Sequence, residues 1–147
     1  MKRLLLLLFA LPFWCHAQYN QQDSLRGGLN KERLCFDVVH YDLSVQFGMD
    51  DSSIVGSNEI SFQVVESTNK IQLDLFEQLE IDSIKIKGDQ FKDSLTFYRV
   101  GNAFYVDFKR TLNKGELVTI QVFYSGKPNV AKHAPWDGGF SWSKDKE

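Results

Sequence analysis

Val39-His40-Tyr41-Asp42-Leu43-Ser44-Val45-Gln46-Phe47 puts an apolar side chain at every second position and a polar one between. Successive side chains of an extended chain point to opposite faces, so this period of two predicts a half-buried strand with one wet face. Gly48-Met49-Asp50-Asp51-Ser52-Ser53 follows as a turn. Ile54, Gly56, Asn58, Ile60, Phe62 and Val64 then carry the same period into a second strand, where Gly56 marks a bulge or a close approach of backbone. Further strands follow at Ile71-Leu73-Leu75, Leu79-Ile81 and Ile84-Ile86, with a change of facing residue around Asp82-Ser83 that signals a bulge or turn. Leu95-Phe97, Phe104-Val106-Phe108 and Val118-Ile120-Val122-Tyr124 complete the set. The last two are joined by Leu112-Asn113-Lys114-Gly115-Glu116, which reads as a hairpin loop. The sum is an all-β chain of about seven or eight strands, a sandwich or a large curved antiparallel sheet.

The ends are different in kind. Lys2 and Arg3, the apolar run Leu4 to Phe13 and the small residue Ala17 predict a signal peptide over 1–17. The run is too short for a permanent membrane span, and the bulky Phe13 and Trp14 before Cys15 argue against lipid attachment there. The chain is therefore expected to be exported, periplasmic or secreted, with no stable membrane anchor. Residues 18–34 form a polar, extended lead-in with at most one helical turn. Residues 35–126 form the β domain. Residues 127–147 form a Pro-, Gly- and Trp-rich connecting loop.

Loss of Lys2 and Arg3 takes the formal charge from −2 to about −4. No cluster of Lys and Arg alternates with aromatics, which argues against a nucleic-acid partner. Cleavage also removes Cys15 and leaves Cys35 without an internal disulfide partner; beside Phe36 it reads as a small buried hydrophobe.

Catalytic constellations are missing from the pattern. His16, His40 and His133 are followed by Ala, Tyr and Ala, so no His-Glu-x-x-His occurs, and neither Cys-x-x-Cys nor Gly-x-Ser-x-Gly appears. His40 falls on the polar face of its strand. Asp50-Asp51 sits in a turn, where Asp bonds local backbone, and Asp74 with Glu77 has no feature that marks a catalytic pair. No catalytic or metal-binding residue is expected in this chain.

Val38-x-x-Tyr41-Asp42-Leu43-x-Val45, then Ile54-x-Gly56 with Ile60-x-Phe62, then Ile71-x-Leu73-Asp74, form an ordered series. With Leu112 to Glu116, Ile120 to Gly126 and the tail Ala134-Pro135-Trp136-Asp137-Gly138-Gly139-Phe140, it resembles the N-terminal domain of the aminopeptidase N family of zinc metallopeptidases, in a bacterial exported branch. The resemblance implies a saddle-shaped β domain packed against a thermolysin-like catalytic domain. There two zinc ligands on one helical turn hold the metal, and the Glu between them activates a bound water. None of those positions exists here, and Met1 and Met49 as the only methionines leave no Gly-x-Met-Glu-Asn strand. Zinc, a peptide substrate and catalysis are accordingly expected of a catalytic domain absent from this chain.

Two functions remain open on this reading. One is a non-catalytic N-terminal domain that supports and walls the cleft of that catalytic domain, with Trp136, Phe140 and Trp142 as interdomain docking residues. The other is a stand-alone exported β-sandwich that binds glycan or protein through the same three aromatics.

Overall fold

The computed structural model describes residues 25, 27–88, 94–134 and 136–144. The leader at 1–17 and the lead-in before Leu25 lie outside these residues. Among the described residues a helical turn, α1 (Lys31–Leu34), precedes seven strands: β1 (Phe36–Gly48), β2 (Ser53–Val64), β3 (Thr68–Asp74), β4 (Leu79–Ile86), β5 (Thr96–Val100), β6 (Ala103–Leu112) and β7 (Leu117–Gly126). They form a four-stranded sheet of order β1-β2-β7-β4 and a three-stranded sheet of order β3-β6-β5, with every pairing antiparallel. The fold is an all-β sandwich.

The inward positions of both sheets supply one core. Phe62, Ile71, Ile84, Val106, Leu112 and Ile120 are all completely buried. Phe62 sits at its centre, edge-on to Phe36 at 5.3 Å and to Phe108 at 6.4 Å, a geometry that sets ring edges against ring faces. Cys35 is 1% exposed, and burial pushes its thiol pKa up, as befits a small hydrophobe. The change of face at Asp82-Ser83 is a bulge inside a single strand, with register shifting between Ile81 and Ser83. Gly56 is a close approach. A Cβ there would lie 2.5 Å from the Ser44 carbonyl oxygen and 2.8 Å from the Tyr124 hydroxyl, so only glycine lets the Tyr124 ring cross β2.

Two expectations need correction. The loop Leu112–Glu116 does not close a hairpin. β6 belongs to the three-stranded sheet and β7 to the four-stranded one, so the loop carries the chain across the sandwich. Gly115, at φ +89°, makes the turn, and the Glu116 carboxylate accepts from the Asn113 backbone N–H at 2.8 Å. An arch between sheets and a hairpin loop use the same turn residues, so the turn alone does not tell them apart.

The second correction concerns β1. Its alternation is real, but its apolar row is not buried: Tyr41 is 56% exposed, Leu43 63% and Phe47 55%. β1 is an edge strand, and beyond the bulge at Val38/His40 its inner face extends past the cover that the smaller sheet provides.

Substitution of core and edge positions should separate these roles. Phe62→Ala should cost about 4 kcal/mol of unfolding free energy by urea titration, because it leaves a cavity in a site with no slack. Leu43→Ala should change it by no more than about 0.5 kcal/mol. Equal losses would show that β1 is covered.

Candidate docking surface

After β7 the chain makes a closed excursion. Val130 and Phe140 form a short parallel bridge, with Ala131 N–H donating to the Phe140 carbonyl (3.0 Å) and Phe140 N–H to that of Asn129 (2.8 Å). Gly139 permits this closure. Its φ is +104°, and a Cβ there would meet the Asn129 carbonyl oxygen at 2.6 Å. The Asp137 carboxylate accepts from the backbone N–H groups of Lys132 (2.7 Å) and His133 (2.9 Å), an Asx-type cap on the loop's own backbone. The bond from His133, and with it that from Lys132, holds the Asp137 carboxyl below its ordinary range.

The three aromatics singled out from sequence part company. Phe140 and Trp142 stack at 5.9 Å and 20°, and both lie against Phe47, at 6.1 and 6.3 Å. They pack on a second apolar cluster of Ile54, Leu79 and Tyr124. Trp142 Nε1 is buried there without a hydrogen-bond partner. Trp136 stands apart and is 88% exposed. A polar clamp missed by sequence reading lies at the opposite end of β1. Gln72, on the outer side of β3 yet only 1% exposed, donates to the Leu25 carbonyl (3.1 Å) and accepts from Asn30 Nδ2 (2.5 Å). Arg33 donates to the same carbonyl (2.7 Å) and pairs with Asp74. The capping Asn30, whose side chain accepts from Arg33 N–H at 3.0 Å, was the available signal.

Between the clamp and the aromatic corner runs a cleft of about 530 Å³, walled by Tyr41, Leu43, Ile60, Leu73, Leu75 and Tyr124. Among the described residues no three His, Cys, Asp or Glu side chains come together as a metal site. His133 Nδ1 lies 3.9 Å from the Asp137 carboxylate, and His40 is exposed on β1. These residues do not fit a zinc ion. Nor is any described helix long and apolar enough to cross a membrane.

Two stacked antiparallel sheets, an aromatic corner and an open apolar flank define the class: a β-sandwich module with a packing surface. The chain belongs to the Peptidase M1 N-terminal domain family, whose model matches residues 38–134. It is 30% identical over 91 residues to Aminopeptidase 2 of Candida albicans, a match spanning 62% of this chain and 10% of that protein. Its fold is similar to the M1 zinc metallopeptidase of Deinococcus radiodurans, with TM-score 0.56 and 20% identity over 71% of this chain and 23% of the other. A mutant of that enzyme bound to a Tyr-Ser-Ala substrate gives TM-score 0.55 at 20% identity, over 66% and 22% of the two chains. The chain thus spans about a tenth of the curated relative and under a quarter of the solved ones.

Because Asp137 has a depressed folded pKa, its support for the loop is complete above the ordinary carboxylate value and is lost as pH falls through the folded one. Amide protection of Lys132 and His133, corrected for intrinsic exchange, should therefore drop on acidification. Asp137→Asn should remove that pH dependence; if the variant keeps it, the cap is not what closes the loop.

Proposed function

We propose that this chain is the non-catalytic N-terminal β domain of an exported zinc aminopeptidase-like protein. In that role it supports a catalytic domain and walls the cleft where a peptide substrate binds. The observation that carries the reading is the family match over 38–134, in a chain spanning only 10% of its aminopeptidase relative. Zinc and the hydrolytic groups then belong to the catalytic domain, and the described residues here do not build a metal site. Trp136, Phe140 and Trp142 serve the contact between the domains. Phe140 and Trp142 shape the corner from within, and the exposed Trp136 offers the larger area to a partner. A sugar platform would need its faces open side by side, whereas Phe140 and Trp142 turn theirs toward each other.

Export rests on the leader: Lys2, Arg3, the apolar run Leu4 to Phe13 and cleavage after Ala17 deliver the mature chain to the periplasm or beyond. No part of the mature sequence supplies a membrane anchor in this reading.

The purified chain should bind well under one equivalent of zinc and hydrolyse no aminoacyl-nitroanilide, whereas the complete product of its gene should bind zinc and cleave that substrate. Zinc-dependent cleavage by this chain alone would sink the proposal. N-terminal sequencing of the exported protein should begin at Gln18.

A further inference from the structure

We infer that the outer edge of β1, with the apolar cleft beneath it, receives an extended strand with aliphatic side chains from another part of the same polypeptide. This rests on the reading above that the chain is the N-terminal part of a longer protein. Four strands form the edges of the two sheets, and three of them are protected. β3 is overlaid by α1 through Asn30, Arg33 and Gln72. β4 is broken by the bulge at Ile81/Ser83 and carries Lys85. β5 is five residues long. Bulges, brevity, lysines and covering elements are the usual means of keeping a sheet edge from pairing.

β1 has none of these over residues 40–48. It is thirteen residues long, contains no Lys or Pro, and pairs only with β2 among the described residues. Alternate residues of an antiparallel edge direct both N–H and C=O outward, so this edge offers a row of donors and acceptors that a further strand matches. The side chains that such a strand would meet are Tyr41 and Leu43, each more than half exposed over the cleft.

The cleft itself names the chemistry of its occupant. Two of its lining residues hold buried polar atoms without partners: Arg33 Nε, a donor, and Asn58 Oδ1, an acceptor. Asn58 lies on the inward face of β2 between Leu43 and Val122 across the sheet, a place where the neighbouring rows are apolar. An unpaired buried acceptor costs on the order of 1–3 kcal/mol. Apolar walls suit the aliphatic side chains that a strand on this edge directs beneath the sheet, and the one waiting donor and one waiting acceptor suit a side-chain amide among them. A long-chain lipid lacks the donor, and a sugar lacks the apolar body. A source within the same polypeptide follows from the shares of length: the solved relatives carry more than three quarters of their chains beyond what this chain covers.

The test compares this 147-residue chain with the complete product of its gene by hydrogen exchange and mass spectrometry. Exchange across residues 39–47 should slow at least about tenfold in the longer protein. Leu43→Lys should leave the midpoint of the short chain within about 2 °C and lower that of the longer protein by about 5 °C or more. Equal exchange in the two proteins, or equal effects of the substitution, overturns the inference. So does a dimer of the short chain with β1 already protected, which would assign the edge to a second copy. Zinc content and aminopeptidase activity of the longer protein report the parent reading separately, so either can fail while the other stands. A reading frame that closes after Glu147 overturns both.

Discussion

A sheet with one apolar face must have that face covered, and here the two faces that meet are unequal. The four-stranded sheet includes strands of thirteen and twelve residues, whereas the strands opposite have seven, ten and five. Where they overlap the core is complete: Phe62, Ile84, Val106 and Ile120 have no contact with solvent. Where they do not, the chain improvises. At one end the terminal loop folds back and lays Phe140 and Trp142 against Ile54, Leu79 and Tyr124. At the flank nothing described covers Tyr41 and Leu43. Each feature outside the core is a different response to the same mismatch in size.

The polar clamp at β3 shows how the other flank is handled. Gln72 points away from the core, where a side chain would ordinarily be wet, and is instead buried under the lead-in. Its amide is used at both ends, by Leu25 and Asn30, so burial leaves neither its donor nor its acceptor stranded. Arg33 ties the same carbonyl to Asp74. The pair is partly exposed, so its Coulombic worth is small, and its role is to fix the direction in which the lead-in leaves the edge. The outer face of the smaller sheet is finished with a Tyr98–Tyr105 stack at 4.8 Å and with Lys70 paired to Asp107 at 3.1 Å. Lys70 thereby keeps its proton more firmly than an ordinary lysine, chiefly through that bond to Asp107.

Much of this was legible in the sequence. Period-two alternation gave each strand, and the phase slip at Asp82-Ser83 signalled a bulge or a turn, of which the pairing of β4 with β7 shows the bulge. Alternation reports which side chains share a face, however, and not what lies opposite that face. For β2 and β7 the inward row met the other sheet; for β1 the same pattern met solvent at Tyr41 and Leu43. Strand partnership was equally hidden: Leu112 to Glu116 carries turn residues that serve a hairpin and an inter-sheet arch alike, and only long-range packing decides between them. The three aromatics of the tail looked equivalent by composition. Their separation into a stacked pair and an outlier depends on Gly139 and Asp137, which close the loop so that position 140 turns inward and position 136 does not.

The corner and the flank are one surface in two states of completion. Tyr124 and Leu75 belong to both, since each lines the cleft and also packs with the cluster under Phe140 and Trp142. Tyr124 reaches that position only because Gly56 lets its ring cross β2, so a single glycine sets the depth of the cleft where it meets the corner. The stacked rings close the end of that face: side chains carried beneath β1 from the clamp side meet Phe47, Phe140 and Trp142 there. A wall of this kind fixes register, which an edge strand with a uniform alternating pattern cannot fix for itself, because a slip of two residues restores the same faces. The aromatic corner therefore contributes more than local burial. It gives the open edge a defined end, and so a reason for one alignment of an incoming strand to be preferred over the next.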